Sequence, residues 1–402
     1  MLRDALRDLT VLDFTHIGAG PTCAMLLGDM GARVIKIEPP EGDIGRRLGP
    51  PWIGPDSALF HSFNRNKLGL CLDLKNPKGL AVALQLAKGA DVIVESMRPG
   101  VMARLGLGYA QVAATNESIV YCSVSAYGQE GPYAHRAGVD GILQADSGLM
   151  SLIATPGGEP IKVQAPVVDV FSGYTAAMGV LARLMQRASG GGGGHLDISL
   201  FNSAVALQQS SLATYFADGI LPAALGSAAP YSAPNEAFET AHGWIMIAAF
   251  NGDRWDQLCE ILGCPKLISD ARFSTSTKRV ANRTQMRAAL APYFKRKPAT
   301  AWLDEFLAAD ILCAPVATYE TLARHPQLHA NAMRVTVEHP LFGPICFPGF
   351  PVNSAEANAA GHRVAPDLGE HSQEILTAAG FAPQEIAQLI AEKVIKGKRD
   401  QQ

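Results

Sequence analysis

Short apolar runs alternate with helix-period stretches through the first half of the chain. Leu9–Phe14 reads as a strand, Gly18–Pro21 as a turn, and the residues from Pro21 to Gly31 as a helix opened by that proline. Arg33–Glu38 is the next apolar run. A second unit repeats the order, with Gly69–Leu74 as strand, Pro77–Lys88 as helix and Asp91–Glu95 as strand, and Ile119–Ser125 follows. Strands spaced by helices in this way predict a parallel sheet covered on both faces.

Beyond Pro166, the residues Phe171, Tyr174, Met178, Leu181 and Met185 recur at helical spacing. That helix ends in a glycine run, Ser189 to Gly194, which reads as a flexible connection. It follows a helix and precedes the strand His195–Ser199, so it lacks the turn-into-helix order of a phosphate loop. Leu200–Ala217 predicts one long helix, and Asp218–Pro234 reads as a linker or mobile loop. Ala237–Thr240 and Trp244–Ala249 then predict paired strands, with helices near 252–262, 281–294 and 298–309. A last amphipathic helix is expected at Pro383–Lys393, and no internal repeat is present.

With 402 residues, two domains are the default. The boundaries suggested are a large domain over 1–200, a linker over 201–230, a small α+β domain over 231–325, and a linker and C-terminal part over 326–402. A net charge of −3 supplies no overall field to hold nucleic acid or an anionic membrane. No apolar run reaches the ~18 residues of a membrane span, and the first residues do not resemble a signal peptide. The seven cysteines form no CxxC pair, which fits free thiols, a cytoplasmic location and no metal. His325 and His329 are four apart, yet Pro326 intervenes and no HExxH glutamate exists.

Two features bear on chemistry. The run Gly18-Ala19-Gly20, with Glu38 some twenty residues on, matches part of a dinucleotide fingerprint. The third glycine is replaced by Cys23, so the alternative meaning is a tight turn in a Rossmann-like sheet. Asp169, just before a helix, reads as an N-cap accepting backbone amides. An ionised carboxylate at a helix N-terminus is also a competent nucleophile toward a thioester, so both roles stand together.

The stretches VLDFTHIGAGPTCAMLLGDMGARVIKIEPPEGD, FNRNKLGLCLDLKNPKG, SVSAYGQEGPYAHRAGVDGILQADSGLM and LGEHSQEILTAAGF resemble, in order, those of class III CoA-transferases of the CaiB/BaiF type. The formyl-CoA transferases and carnitine dehydratases belong there. The resemblance spans nearly the whole chain. It implies an α/β fold, with a large Rossmann-like domain built from both ends of the chain plus a small domain, and a homodimer whose two chains interlock. It places the nucleophile on Asp169. It places CoA contacts on Gly18, Ala19, Leu72, Lys75, Ser96, Met97, Arg98, Arg104 and Arg136. Coenzyme A would be a substrate, with no permanently bound cofactor, and acyl-CoA and a carboxylic acid would be the partners. Gly226–Pro234 is the candidate lid, and Arg46 or Arg47 a candidate contact for a dicarboxylate. A related racemase activity needs bases where this chain has Val139 and Asn251, and neither takes a proton in the required way. An NAD-dependent dehydrogenase has the partial GxG turn alone in its favour, and a non-catalytic CoA-binding protein is the remaining alternative.

Overall fold

The computed structural model describes residues 2–359 and 361–397. The chain divides into two compact units. The first comprises Met1–Leu149, Lys162–Ala217 and Pro326–Gln402, and the second comprises Met150–Ile161 and Asp218–His325.

The first unit is a mixed α/β layer structure. Its strands are β1 (Thr10–Phe14), β2 (Arg33–Glu38), β3 (Lys67–Leu72), β4 (Val92–Glu95), β5 (Val120–Ser125) and β6 (Gly194–Ser199). These six are parallel and lie in the order β3-β2-β1-β4-β5-β6. The short strand Ile395–Lys396 returns from the C-terminal segment and adds to β3 antiparallel. Valine and isoleucine dominate because both faces are covered. Alternate residues go to opposite cores. Val11, Val34, Val94 and Val120 join one core, and Leu12, Ile35, Ile93 and Tyr121 the other.

The helix α1 (Ala19–Asp29) lies against the first core and α2 (Pro77–Lys88) against the second. Asn76 caps α2, accepting from Lys78 N–H at 3.0 Å, and Pro77 takes the first helical position, where its missing N–H costs nothing. α3 (Asp140–Asp146) was not foreseen. α4 (Val167–Ala188) runs along β5 and β6 beside α1. Its small residues make that approach possible, since a Cβ on Gly173 would sit 2.5 Å from Thr22 Cβ. The large apolar stripe points the other way, with Tyr174, Met178 and Met185 all exposed. α4 is the one helix among the described residues that is long and apolar enough to cross a membrane, yet Val168, Ala176 and Val180 are packed in the core.

The predicted helix 200–217 is broken. It forms α5 (Leu200–Leu207) and α6 (Gln209–Asp218), parted at Gln208, whose amide donates to the carbonyls of Ala204 and Ser147. The strand predicted at 69–74 lies two residues earlier, at β3, because Lys67 is drawn into the sheet by Asp13 at 2.8 Å.

The second unit holds a three-stranded antiparallel sheet of Asn235–Glu239, Trp244–Ala248 and Leu312–Pro315, with Trp244–Ala248 in the middle. Its helices Gly252–Leu262, Arg283–Phe294 and Ala299–Ala308 bury Trp255, Phe294, Trp302 and Phe306. The buried Arg279 ties three loops together, donating to the carbonyls of Ala233, Phe250 and Phe273 at 2.6–2.7 Å.

Candidate active site

In the first unit the chain order reverses between β1 and β4, so the loops leaving their carboxyl ends diverge to opposite sides. A crevice opens there in any doubly wound sheet. A cavity of about 140 Å³ occupies it, lined by His16 to Gly20 after β1, Ser96 after β4, Val124 to Ala126 after β5, and Gly138, Val139, Asp169 and Leu200. His16 N–H donates to Ser96 Oγ at 3.0 Å, which ties the two diverging loops together.

Asp169 is not the helix cap. Pro166 holds the N-cap position without a side-chain bond, and Asp169 is the third residue of α4. The capping acceptor is Asp140, from α3. Its Oδ2 accepts from Val168 N–H at 2.8 Å and Asp169 N–H at 3.1 Å, while its Oδ1 accepts from Gln144 at 2.5 Å. Gln144 in turn exchanges two bonds with the main chain of Val163. α3 therefore clamps the segment leading into α4 and leaves the Asp169 carboxylate free to face the cavity. Nothing in the sequence spacing marked Asp140 for this task, since its partners lie 28 and 29 residues on.

Burial, and then the charge of Asp140, raise the Asp169 pKa to about 7. The expectation of a carboxylate held ionised by the helix dipole is thus corrected, because desolvation outweighs the dipole here. The folded chain keeps this proton up to about pH 7, whereas the ordinary value is 3.8. The folded state binds more protons between those values, so stability falls as pH rises through that window. Asp169→Asn is accordingly expected to stabilise the protein at pH 8, by on the order of 1–2 kcal/mol after allowance for partial solvent screening, and by little near pH 4. Thermal denaturation of both proteins at the two pH values checks this, and an equal difference at both would refute it.

The turn before α1 is strained toward the site. Ile17 is β-branched yet sits at φ 69°, a region that costs on the order of 1–3 kcal/mol. The wholly buried Asp43 holds it there. It accepts from Ile17 N–H at 3.3 Å and Gly45 N–H at 2.8 Å, and pairs with Lys36 at 2.9 Å. Burial opposes ionisation of Asp43, but Lys36 and His16 prevail and hold it well below the usual carboxylate range. His16 Nδ1 lies 3.5 Å from the same carboxylate. The turn brings Gly18 so close that a Cβ there would stand 2.5 Å from Asp169 Oδ2. Glycine at 18 is what lets the carboxylate occupy its place.

Of the sequence-predicted contacts, Gly18, Ala19 and Ser96 join Asp169 around this cavity. Leu72 ends β3 with its side chain in the core, and Lys75 is exposed just beyond. Met97 is half-buried, its N–H bonded to Glu95 at 2.8 Å, and Arg98 and Arg104 are exposed on the segment that follows. Arg136 is exposed and stacks over Tyr133 at 3.7 Å. Sequence reading missed His16, Ile17, Asp43 and Asp140. The quoted stretch from Val11 to Asp43 contained the first three and the stretch from Ser123 to Met150 the fourth, but neither marked them for a role.

Three readings lose ground on geometry. Glu38, the acid for a ribose, is 1% exposed and its carboxylate accepts from Arg46 Nε and Nη2 at 2.7 Å and from Asp43 N–H at 2.9 Å. It has no oxygen to offer a nicotinamide cofactor. Arg46, considered for a dicarboxylate, is spent on Glu38 and on Asp56 at 2.6 Å. Val139 lines the cavity where a racemase would need a base.

Known proteins resemble this chain over nearly its whole length. The family model described as CoA-transferase family III matches residues 6–372. Succinyl-CoA:glutarate CoA-transferase of Homo sapiens is 34% identical over 372 residues, covering 92% of this chain and 85% of the relative. Acetyl-CoA:oxalate CoA-transferase of Acetobacter aceti is 36% identical over 365 residues, covering 90% and 92%. The crystal structure of a CAIB/BAIF family protein from Brucella suis superposes with a TM-score of 0.84 at 31% identity, over 92% of this chain and 98% of that one.

Proposed function

We propose, for a chain that belongs to CoA-transferase family III, that Asp169 carries the acyl group and then the CoA in turn. The protein is a CoA-transferase, and coenzyme A thioesters are its substrates. The observation that supports the role of Asp169 is its carboxylate lining the switch-point crevice, with its backbone N–H held by Asp140 and its space left open by Gly18.

In this reading the Asp169 carboxylate attacks the thioester carbonyl, and the C–S bond breaks to give an aspartyl mixed anhydride and CoA thiolate. The thiolate attacks the aspartyl carbonyl, releases the first acid and leaves an aspartyl-CoA thioester. The acceptor carboxylate attacks that carbonyl, breaking its C–S bond to give a second mixed anhydride and CoA thiolate, and the thiolate attacks the acceptor's carbonyl to form the new CoA ester and release the Asp169 carboxylate. A thiol pKa of about 8.5 makes the thiolate a ready leaving group. Nucleophilic attack needs the ionised form, so activity should rise as Asp169 loses its proton near pH 7. Gly18, Ala19, Leu72, Lys75, Ser96 to Arg98, Arg104 and Arg136 serve CoA in this proposal, the exposed arginines suiting its phosphates.

The acids named for the two relatives, glutarate and oxalate, are dicarboxylates. We take a dicarboxylate as the acceptor here, and Arg46 is not its partner. A panel of acyl-CoA donors and acids, with the product esters identified by mass spectrometry, tests this. Transfer to monocarboxylates alone would overturn the acceptor class, and α-proton exchange without transfer would overturn the reaction.

The exposed stripe of Tyr174, Met178 and Met185 on α4 supports a homodimer, as does α6, which buries none of its residues and leaves Phe216 77% exposed. The interlocked arrangement is part of this proposal. Light scattering on the purified protein should give twice the chain mass, and Met178→Glu with Met185→Glu should reduce it to one. A wild-type monomer would remove the idea.

A further inference from the structure

At the amino-terminal edge of the main sheet, opposite Asp169, lies a second cavity of about 400 Å³ within the first unit. Its size falls in the range of small-molecule sites. Four arginines line it, Arg3, Arg7, Arg33 and Arg363, against two carboxylates, Asp4 and Glu374. Arg33 opens β2 and Arg363 comes from the C-terminal segment, so distant parts of the chain supply the charge.

The arginines are brought there by a close backbone fit. Gly31 has φ 99°, and a Cβ on it would stand 2.0 Å from Arg3 O, so the N-terminal segment presses onto the end of α1. Leu6 N–H seals it by donating to Met30 O at 2.9 Å. Asn66 lines the same cavity but is already engaged with Asp29 at 2.8 Å.

Arg7 Nε lies 3.9 Å from Asp8 Oδ2 at the exposed rim, and the other arginines keep charge to spare. Arg363 donates its backbone N–H to Asn66 Oδ1 at 2.8 Å, and the guanidinium groups of Arg33 and Arg363 have no ion pair or hydrogen bond among the described residues. Arg3 donates through Nη2 to Gly361 O, while its Nη1 is closed off from solvent and meets no acceptor among those residues. A buried donor without an acceptor is costly, and rare in folded proteins. The dipole at the C-terminal end of α1 offsets about half a charge at most, well short of the surplus. Guanidinium groups converging in a concavity focus a positive potential and match tetrahedral oxyanions by paired N–H donors.

We propose that this cavity is a binding site for a small phosphate-bearing anion, separate from the Asp169 crevice. α1 joins the two ends, starting at Ala19 beside Asp169 and ending at Asp29 near Gly31. Titration calorimetry with sodium pyrophosphate tests the site, with the whole protein saturated with CoA and ionic strength matched by sodium chloride. Arg33→Gln with Arg363→Gln, and Arg363→Gln alone, are compared with wild type, and malonate serves as a dianion without phosphorus. Pyrophosphate should bind wild type, about tenfold or more weaker in the double variant and intermediate in the single. Malonate should bind less tightly than pyrophosphate. Equal affinity in wild type and the double variant would overturn the site, as would no wild-type binding up to roughly 10 mM. Malonate binding as tight as pyrophosphate would overturn the phosphate assignment.

Discussion

Asp169→Asn and Asp169→Ala are expected to lower transfer by about four orders of magnitude or more while CoA still binds, because the covalent route loses its nucleophile. Among the described residues that line the cavity, Asp169 is the only carboxylate. Asp140 is 7% exposed and its carboxylate is committed to Val168, Asp169 and Gln144. Steady-state kinetics with calorimetric titration of CoA separates the two effects. The wild-type intermediate should also be trapped by hydroxylamine, and the variants should give no adduct. Retention of transfer in Asp169→Ala would remove the mechanism proposed for this chain, though not its place in the family.

The second large effect belongs to Asp140. It acts through Asp169, as a positioning residue. Asp140→Ala strips the acceptor from two amides at the start of α4, a loss worth about 1–2 kcal/mol of stability. It also releases the segment that aims Asp169, and a misplacement of about 1 Å costs on the order of a hundredfold in rate. Asp140→Asn separates geometry from charge. It keeps an acceptor oxygen for the α4 amides and removes the negative neighbour. Burial is the larger cause of the raised Asp169 pKa and Asp140 the second. The sign follows directly: without the Asp140 charge, Asp169 ionises at lower pH. The acid limb of kcat/KM, which reports the free enzyme, should move down from about 7 but stop above the ordinary carboxylate value. An acid limb that stays in place in Asp140→Asn would show that the charge of Asp140 does not reach Asp169. A purely structural role would lower kcat without moving that limb.

Both predictions turn on a pair of carboxylates within one hydrogen-bonded cap. Burial of the ionised Asp169, and then the charge of Asp140 beside it, destabilise the fold when Asp169 loses its proton, which is the physical basis of the stabilisation expected from Asp169→Asn at pH 8. A site that gains stability on losing its nucleophile is a familiar trade of fold stability for reactivity.

Local pattern determined a good deal of this protein. The apolar runs at 9–14, 33–38, 91–95 and 119–125 marked four central strands to within a residue, because a strand buried on both faces must be apolar along its length. Pro77 after Asn76 marked a helix start, and Pro166 marked the approach of another, because proline's fixed φ suits a helix entry. The ordered stretches resembled those of the family, that resemblance implied roles for Gly18, Ser96 and Asp169, and folding brings those three residues to one crevice.

Tertiary structure alone decided the rest. Pattern showed that Asp169 began a helix, but not that Asp140 would cap that helix in its place, since the two meet only when α3 docks on α4. Arg46 stood as a candidate contact for a dicarboxylate, and became a buried partner of Glu38 and Asp56. The stripe of Tyr174, Met178 and Met185 had a helical period, yet period cannot say which face is covered, and the small residues of α4 took the inner side so that α1 could approach. The common reason is range. Backbone preference and hydrophobic period act over a few residues and survive in the sequence, whereas burial, charge pairing and a shifted pKa depend on which distant segments come together, and only the folded chain sets those distances.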